Sequence, residues 1–580
     1  MSSSKKETEN KAAVANGKQS SGVDLSALVA KQTRDTLAVI FAWRLINALC
    51  LRTFFQPDEY FQALEPAWQL VYGEGSGAWL TWEWVHGLRS SLHPAIFALG
   101  YFIVENALGP LTKAKARWLL AAPKVMQTGF AALGDWYTWR LAERLYGQNS
   151  TVAWSVLAMT LLNPWQWYTS TRTFSNCLEA TLTSMALYYF PWKLLGVKGD
   201  ASTESEHESK FSSGSPFRTK DEITRHDAIP SFALGLSLLA DRQYYGDWTF
   251  PPFTWMRFNV VHDLAVFYGE NDWHYYLSQG IPLLCTTITP FALKGLFKSN
   301  NLEAISAEPV IAGNAIKALS FAVITAISSL SFVSHKEVRF LTPLSPALHI
   351  LAAPHVTSFF TTALETAGTC PPPALGWKRK PILLAGIVVN IVIGGYLSYF
   401  HAAAPISVMT YLRTEFEQIH PKHLAIPRPA KAAGDEIQSE LFALFLTPCH
   451  ATPWRSHLVY PALRARGLTC DPPINTPPES RMRKEYQDET SRFYADPVGF
   501  LRTLWPRDKP GEDMARYIVG FEGVGDALLE YFEGSGPGTR HGIHLKEVWS
   551  EWNGLFTDDE RKSGRLVVWA TGFYDDEMVY

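Results

Sequence analysis

The sequence predicts a polytopic α-helical membrane protein carrying a smaller soluble α/β domain toward its C-terminal end. Three observations carry this. Between residues 35 and 402, apolar runs recur at close to the ~20 residues that span a bilayer. Charged residues are 18% of the chain, below the ~25% of soluble domains. From about residue 403 the apolar runs shorten to strand length and polar segments separate them. The mean hydropathy of -0.05 averages these two unlike parts. A chain of 580 residues is too long for one compact core. Its 52 basic and 55 acidic residues give no basic field for nucleic acid.

Met1 to Val23 is rich in Lys, Ser, Asn and Glu and lacks an apolar stretch. Residues 1–34 are therefore expected to be a disordered cytosolic tail rather than a cleaved signal peptide. The membrane part, 35–402, holds apolar runs at 36–54, 93–109, 118–141, 151–168, 177–196, 278–297, 310–333, 340–359 and 381–400. Many end in Trp or Tyr, as interfacial belts do. Residues 197–230 are rich in Ser, Glu and Lys and read as a disordered connector. Ser231 to Ala240 is apolar but too short to cross, and it runs into Asp241-Arg242. Beyond 403, Leu441–Leu446, Tyr517–Phe521 and Arg565–Trp569 have strand length and alternate with helical stretches, which predicts a small α/β domain over 403–580. We find no internal repeat.

Two loops concentrate aromatic residues, at about 55–92 and 241–277. The first opens with Phe55-Gln56-Pro57-Asp58-Glu59-Tyr60-Phe61-Gln62 and holds Trp68, Trp79, Trp82, Trp84 and His86. Solvated loop acids are common. Two carboxylates among so many rings have instead the composition of a sugar-binding surface containing a general base. Adjacent side chains point different ways, so at most one of Asp58 and Glu59 reaches the proton it would remove. The second loop runs through Tyr244-Tyr245-Gly246-Asp247-Trp248 to Trp273-His274-Tyr275-Tyr276.

Ser334-His335-Lys336-Glu337-Val338-Arg339-Phe340 packs three basic groups and one acid into an interhelical turn. A positive-inside loop is the bland reading. The functional reading is neutralisation of a phosphate leaving group by His335, Lys336 and Arg339, with Glu337 as a possible structural partner for Arg339. Arg172, among Thr169-Ser170-Thr171 and Thr173 to Asn176, could hold a phosphate or simply close a polar turn. Asp135 and Glu179 fall within apolar runs and need partners; Arg172 is a candidate for Glu179. Of six cysteines, Cys50, Cys177, Cys285 and Cys370 lie in or beside apolar runs as packing residues. Cys449 and Cys470 could pair if their domain is extracytosolic. No zinc-spaced Cys/His cluster, nucleotide-binding loop or GxSxG motif is present.

These segments resemble the dolichyl-phosphate-mannose-dependent mannosyltransferases of the GT-C fold. The residues that carry the resemblance are Phe55 to Gln62 with Leu80-Thr81-Trp82-Glu83-Trp84 and Gly87-Leu88-Arg89-Ser90; Arg172-Thr173, Asn176 and Glu179; Asp241-Arg242 to Phe250 with Arg257-Phe258-Asn259 and Phe267-Tyr268-Gly269; His335-Lys336-Glu337 with Arg339-Phe340; and Pro448-Cys449-His450-Ala451-Thr452-Pro453 with Ser456-His457 and Cys470. The third and fifth sets point to the branch that adds the third mannose of a GPI precursor. The chain departs from the pattern at Gln56, where the family often has His, and before Ser231, where the family has further helices.

The resemblance implies an endoplasmic-reticulum membrane enzyme with a luminal active site. It would transfer mannose from dolichyl phosphate mannose, with inversion, to a GPI glycolipid acceptor. Asp58 or Glu59 would be the base. His335, Lys336, Arg339 and Arg172 would meet the donor phosphate, and Tyr60, Trp82, Trp84 and Trp248 would pack on sugar faces. No metal or other cofactor is required, since basic side chains supply the positive charge. If the loop 241–277 is luminal, the four crossings that follow put residues 335–339 and the C-terminal domain in the lumen. Counting from a cytosolic N-terminus puts Arg172 on the cytosolic side and the connector in the lumen, which calls for a re-entrant or split run between 118 and 196. A sister mannosyltransferase, a lipid or sugar transporter and a non-catalytic scaffold are the competing readings; a transporter would be expected to show an inverted repeat.

Overall fold

The computed structural model describes residues 25–109, 112–196, 220–262, 264, 267, 269–298, 309–363, 375–424, 440–474, 476–477, 480–505, 514–533 and 543–574. The tail 1–24, the connector 197–219 and Cys370 lie outside them. The expected connector ends early, because residues 220–230 are already helical.

Within the described residues the chain passes through one helical bundle nine times. The passages are α1 (Leu25–Cys50), the second half of α4 (Thr112–Tyr146), α5 with α6 (Thr151–Leu162, Pro164–Thr169), α7 (Ser175–Tyr189), α8 (Lys220–Tyr245), α10 (Tyr276–Phe297), α11 (Pro309–Ser331), α12 (Ser345–Phe360) and α13 (Lys380–Tyr399). By length and apolar composition alone, three described helices could cross a membrane: Tyr276–Phe297, Pro309–Ser331 and Lys380–Ile419. The others carry buried polar groups, several of them paired within the bundle. Arg44 of α1 binds Asp135 of α4 at 2.6 Å and also donates to Asn47 and to the Thr160 and Gln166 carbonyls. Asp135 thus has the partner its burial demands.

One apolar run does not cross. Residues 93–109 form α3 (Leu92–Leu108), whose Phe97, Ala98, Tyr101 and Val104 share a core with α2 (Glu65–Tyr72) and with the C-terminal sheet. Its far end is held by Glu105, which accepts from Lys115 and from the Tyr72 hydroxyl, both at 3.1 Å. So α3 stays on the Asp58 face and α4 carries the chain across. This corrects the count made from sequence twice: the run that stays on one side is 93–109 and not one between 118 and 196, and Ser231–Ala240, too short to cross alone, is the middle of the 26-residue α8. Arg172 lies on the Asp58 face, bonded to Thr53, and α7 leads to the opposite face, where Arg144 donates to the Tyr188 carbonyl. The turn at 334–336 and the end of α13 also lie on the Asp58 face.

After Phe400 the backbone breaks at Ala402, with φ 55°, and α14 (Ala404–Ile419) starts a second unit. Its sheet has strands β1 (Leu441–Phe445), β2 (Ala465–Gly467), β3 (Ala515–Phe521), β4 (Lys546–Trp552) and β5 (Arg565–Ala570) in the order β2-β1-β3-β5-β4. β1 runs parallel to β2 and β3, while β5 runs antiparallel to β3 and β4; Ala443 faces Tyr517, and Val519 faces Val568. Strand alternation splits the core. Tyr517, Val519 and Phe521 face α14, whereas Ile518 faces the helices on the other side. Both faces are covered, as a parallel sheet requires.

Candidate active site

The Asp58 turn begins where Pro57 lends its carbonyl to two amides, those of Tyr60 and Phe61, both at 2.9 Å. This starts a helical turn at Asp58 and Glu59 that widens into a π-helix over Tyr60–Leu64, and consecutive side chains on a helix diverge by roughly 100°. The two carboxylates are thereby separated. Glu59 turns inward and is buried against Arg172 Nη1 at 3.0 Å. Asp58 stays half-buried on the loop side and pairs with Arg339 Nη1.

Arg339 connects three groups. It grips Glu337 through two parallel bonds of 2.6 Å and reaches Asp58 with its remaining arm. Burial works against its charge, but Asp58 and Glu337 outweigh that and raise its pKa. Glu337 also meets His335 Nε2 at 2.9 Å. Burial alone would raise the Glu337 carboxyl; His335 and Arg339 outweigh it and hold it at about 2. Lys336 is buried, and its ammonium donates to the Asn271 carbonyl at 2.7 Å while Asn271 returns a bond to the Lys336 carbonyl. His335 Nδ1 lies 3.3 Å from the Gly269 carbonyl. The basic turn and the second aromatic loop are therefore tied together directly beside Asp58.

Two of the expected roles need correcting on this geometry. Arg172 does not join the 335–339 cluster: four of its N–H groups go to Tyr168, Thr53 and Glu59. Glu179 is not its partner and instead accepts from Asn176 at 3.2 Å. Arg172 thus anchors the turn from below, because Glu59 and the Thr53 carbonyl consume its donors. Arg339, for its part, is neutralised by two carboxylates and serves first to hold Asp58.

The aromatic residues also divide. Tyr60 is buried, stacked on Phe54 and edge-on to His457. Trp84 is buried and donates to the Phe61 carbonyl at 2.9 Å, and Trp82 packs with Leu88 and Leu264. These three build the platform rather than its surface. Trp248 is 67% exposed, with Arg242 above its ring.

Two contributors lie in segments that carry the resemblance but have no role assigned from the sequence. Arg89 binds Glu83 at 2.7 Å, and Asp58 and Glu83 raise its pKa against the lowering effect of burial. It stands within a segment already distinctive for its aromatics, which was the available signal. His450 comes from the C-terminal unit and packs on Phe61, ring centroids 4.2 Å apart, and on Trp79 at 5.0 Å. Its Nε2 is buried with no hydrogen-bond partner. Burial lowers its pKa to about 4, opposed only by Asp58. The neighbouring Cys449 is disulfide-bonded to Cys470, so the two sulfurs beside His450 are joined to each other and do not act as thiolate ligands. The adjacent backbone is fixed by Glu65, which accepts from the amides of Ser456 at 2.8 Å and Trp79 at 3.1 Å.

A half-buried carboxylate paired with Arg339, with Arg89 and His450 among its electrostatic neighbours and His335 on the same Glu337 as Arg339, lies at the rim of a helical membrane bundle. Residues 36–215 and 223–459 match the model of the Alg9-like mannosyltransferase family. GPI mannosyltransferase 3 of Gibberella zeae is 43% identical over 94% of this chain and 95% of its own length. That of Aspergillus fumigatus is 41% identical over 92% and 77%. ArnT from Cupriavidus metallidurans, solved bound to undecaprenyl phosphate, is 12% identical over 92% of this chain and 97% of its own, with a TM-score of 0.40. The chain belongs to the Alg9-like mannosyltransferase family, and it is a glycosyltransferase of many membrane passages.

Proposed function

We propose that this enzyme adds the third mannose to a GPI precursor, taking it from dolichyl phosphate mannose on the luminal face of the endoplasmic reticulum. The observation that carries the chemistry is the separation of the two acids: Glu59 is buried under Arg172, which leaves Asp58 as the accessible carboxylate. The donor linkage is β and the product α, so one displacement with inversion suffices, through an oxocarbenium-like transition state. The 2-hydroxyl of the second mannose gives its proton to Asp58 as its oxygen attacks C1 of the donor sugar. The bond between C1 and the phosphate oxygen breaks, and dolichyl phosphate leaves with the electron pair. His335 and Lys336 offer N–H donors to that phosphate, and Arg339 keeps Asp58 in register. No metal or other cofactor enters the scheme. A groove of about 400 Å³ lined by His93, Ser175, Glu179 and Thr183 opens to the side of the bundle. It lies along α7, which packs on Val338–Leu344, and suits the lipid end of the donor.

The test is transfer from labelled dolichyl phosphate mannose to a two-mannose GPI acceptor in microsomes. Wild type should give the three-mannose product, and Asp58→Asn should lose about 10²–10⁴-fold in rate, the usual worth of a general base. Equal product from both would remove Asp58 from the mechanism. Product on a different acceptor would reassign the enzyme within its family.

A further inference from the structure

The loop Asn553 to Phe556, which follows β4, holds none of the residues of the Asp58 cluster and takes no part in the scheme above. It is pinned to the end of α13, where the bundle stops. The Ala402 amide donates to the Asn553 carbonyl at 2.8 Å, and the Leu555 amide donates to the Tyr396 hydroxyl at 2.8 Å. Gly554, at φ 117°, lies against the His401 and Ala402 backbone; a Cβ there would meet the His401 Cα at 3.3 Å. The contact requires a glycine in both shape and conformation.

What the pinned loop then presents is apolar. Leu555 is 66% exposed and Phe556 73%, next to exposed Trp552. Tyr399 and Phe400 at the end of α13 are exposed beside them, and the same helix exposes Ile391 and Val392 about two turns deeper. Isolated exposed apolar side chains are ordinary. Five in one patch, continuous with the outer side of a membrane-spanning helix and rich in rings, match the belt that sits at the headgroup level. The acids that follow are paired: Asp558 with Lys562 at 3.6 Å, and Asp559 with Arg561 at 2.9 Å.

We propose that Leu555 and Phe556 insert into the bilayer leaflet on the Asp58 side, so that this loop holds the C-terminal sheet on the membrane surface. The occupant of the patch is lipid, because the loop is fixed to a helix end whose adjoining surface already faces acyl chains. This rests on the chain crossing a membrane and not on mannosyl transfer.

The test uses the full chain in liposomes with p-benzoylphenylalanine placed at Phe556. A control carries it at Leu529, which is exposed on the side of the sheet away from α14. After irradiation, phospholipid adducts should form at position 556 at least tenfold above those at position 529. Adducts at 556 to a second copy of the protein, or lipid adducts no greater than at 529, would overturn the proposal. An intact Cys449–Cys470 disulfide in both variants shows that each has folded, and the readout is independent of enzyme activity.

Discussion

Neighbouring residues can have opposite fates, and Asp58 and Glu59 are the example that matters most. Both were visible in the sequence as an acidic pair among rings. Their separation was not, because it depends on Pro57 turning the backbone and on Arg172 arriving from 113 residues away. Glu59→Gln should leave the buried Arg172 without its counter-charge, at a cost of about 3–5 kcal/mol. We expect a lower melting temperature and yield, with the rate per folded molecule far less affected than in Asp58→Asn. An unchanged melting temperature would show that Arg172 has another partner for its charge. The aromatic loop was equally legible as composition. Burial of Tyr60, Trp82 and Trp84 was not, since a ring that packs under a sugar platform and one that faces the sugar leave the same mark on a sequence.

Elements show the same limit at larger size. The helix α3, at 17 residues, falls just short of a span in length and matches one in apolarity, and sequence analysis takes it for one. It is apolar on two sides for different reasons: Phe97 and Tyr101 pack toward the C-terminal sheet, and Leu99, Phe102 and Ile103 face outward. A helix apolar all round reads as buried or spanning, and only its contacts distinguish the two. Elsewhere helix contacts are closer than composition reveals. A Cβ on Gly295 of α10 would stand 2.1 Å from the Leu351 carbonyl oxygen of α12, which is backbone and cannot swing aside. Gly295→Ala should therefore force the helices apart and cost about 1–3 kcal/mol, as overpacking does. Thermal unfolding in detergent measures it; a melting temperature equal to wild type would mean the two helices have slack that this geometry denies.

For the whole molecule, two misread helices decide the topology. With α3 kept on the Asp58 face and α8, of which the sequence shows only a short apolar run, counted as a passage, Arg172, the 334–336 turn and the end of α13 all fall on that face. The two-part architecture was legible because the apolar runs change length at residue 403. The joint surface between the parts was not, since it is built from contacts such as Glu65 with Ser456, 391 residues apart. That joint also sets the response to acid. Burial lowers His450 from 6.5 to about 4, so its contribution is complete above pH 6.5 and is lost as pH falls toward 4. Glu337, lowered from 4.5 to about 2, gives a contribution complete above 4.5 and lost between 4.5 and 2. Each shift corresponds to on the order of 3 kcal/mol. Melting temperature should be level above pH 6.5 and fall in two stages below it; a level profile down to pH 4 would mean that His450 is solvated.

The bond between Glu65 and the Ser456 amide has a consequence in time as well as in space. Synthesis runs from one end, so every membrane passage is complete before the segment that braces the Asp58 turn has left the ribosome. A nascent chain halted after α13 holds the whole bundle but lacks Ser456 and the Cys449–Cys470 pair. A stop before Ser456 should therefore give an inserted chain that transfers no mannose in the microsomal assay, and full transfer by it would show that the Asp58 turn stands without its brace.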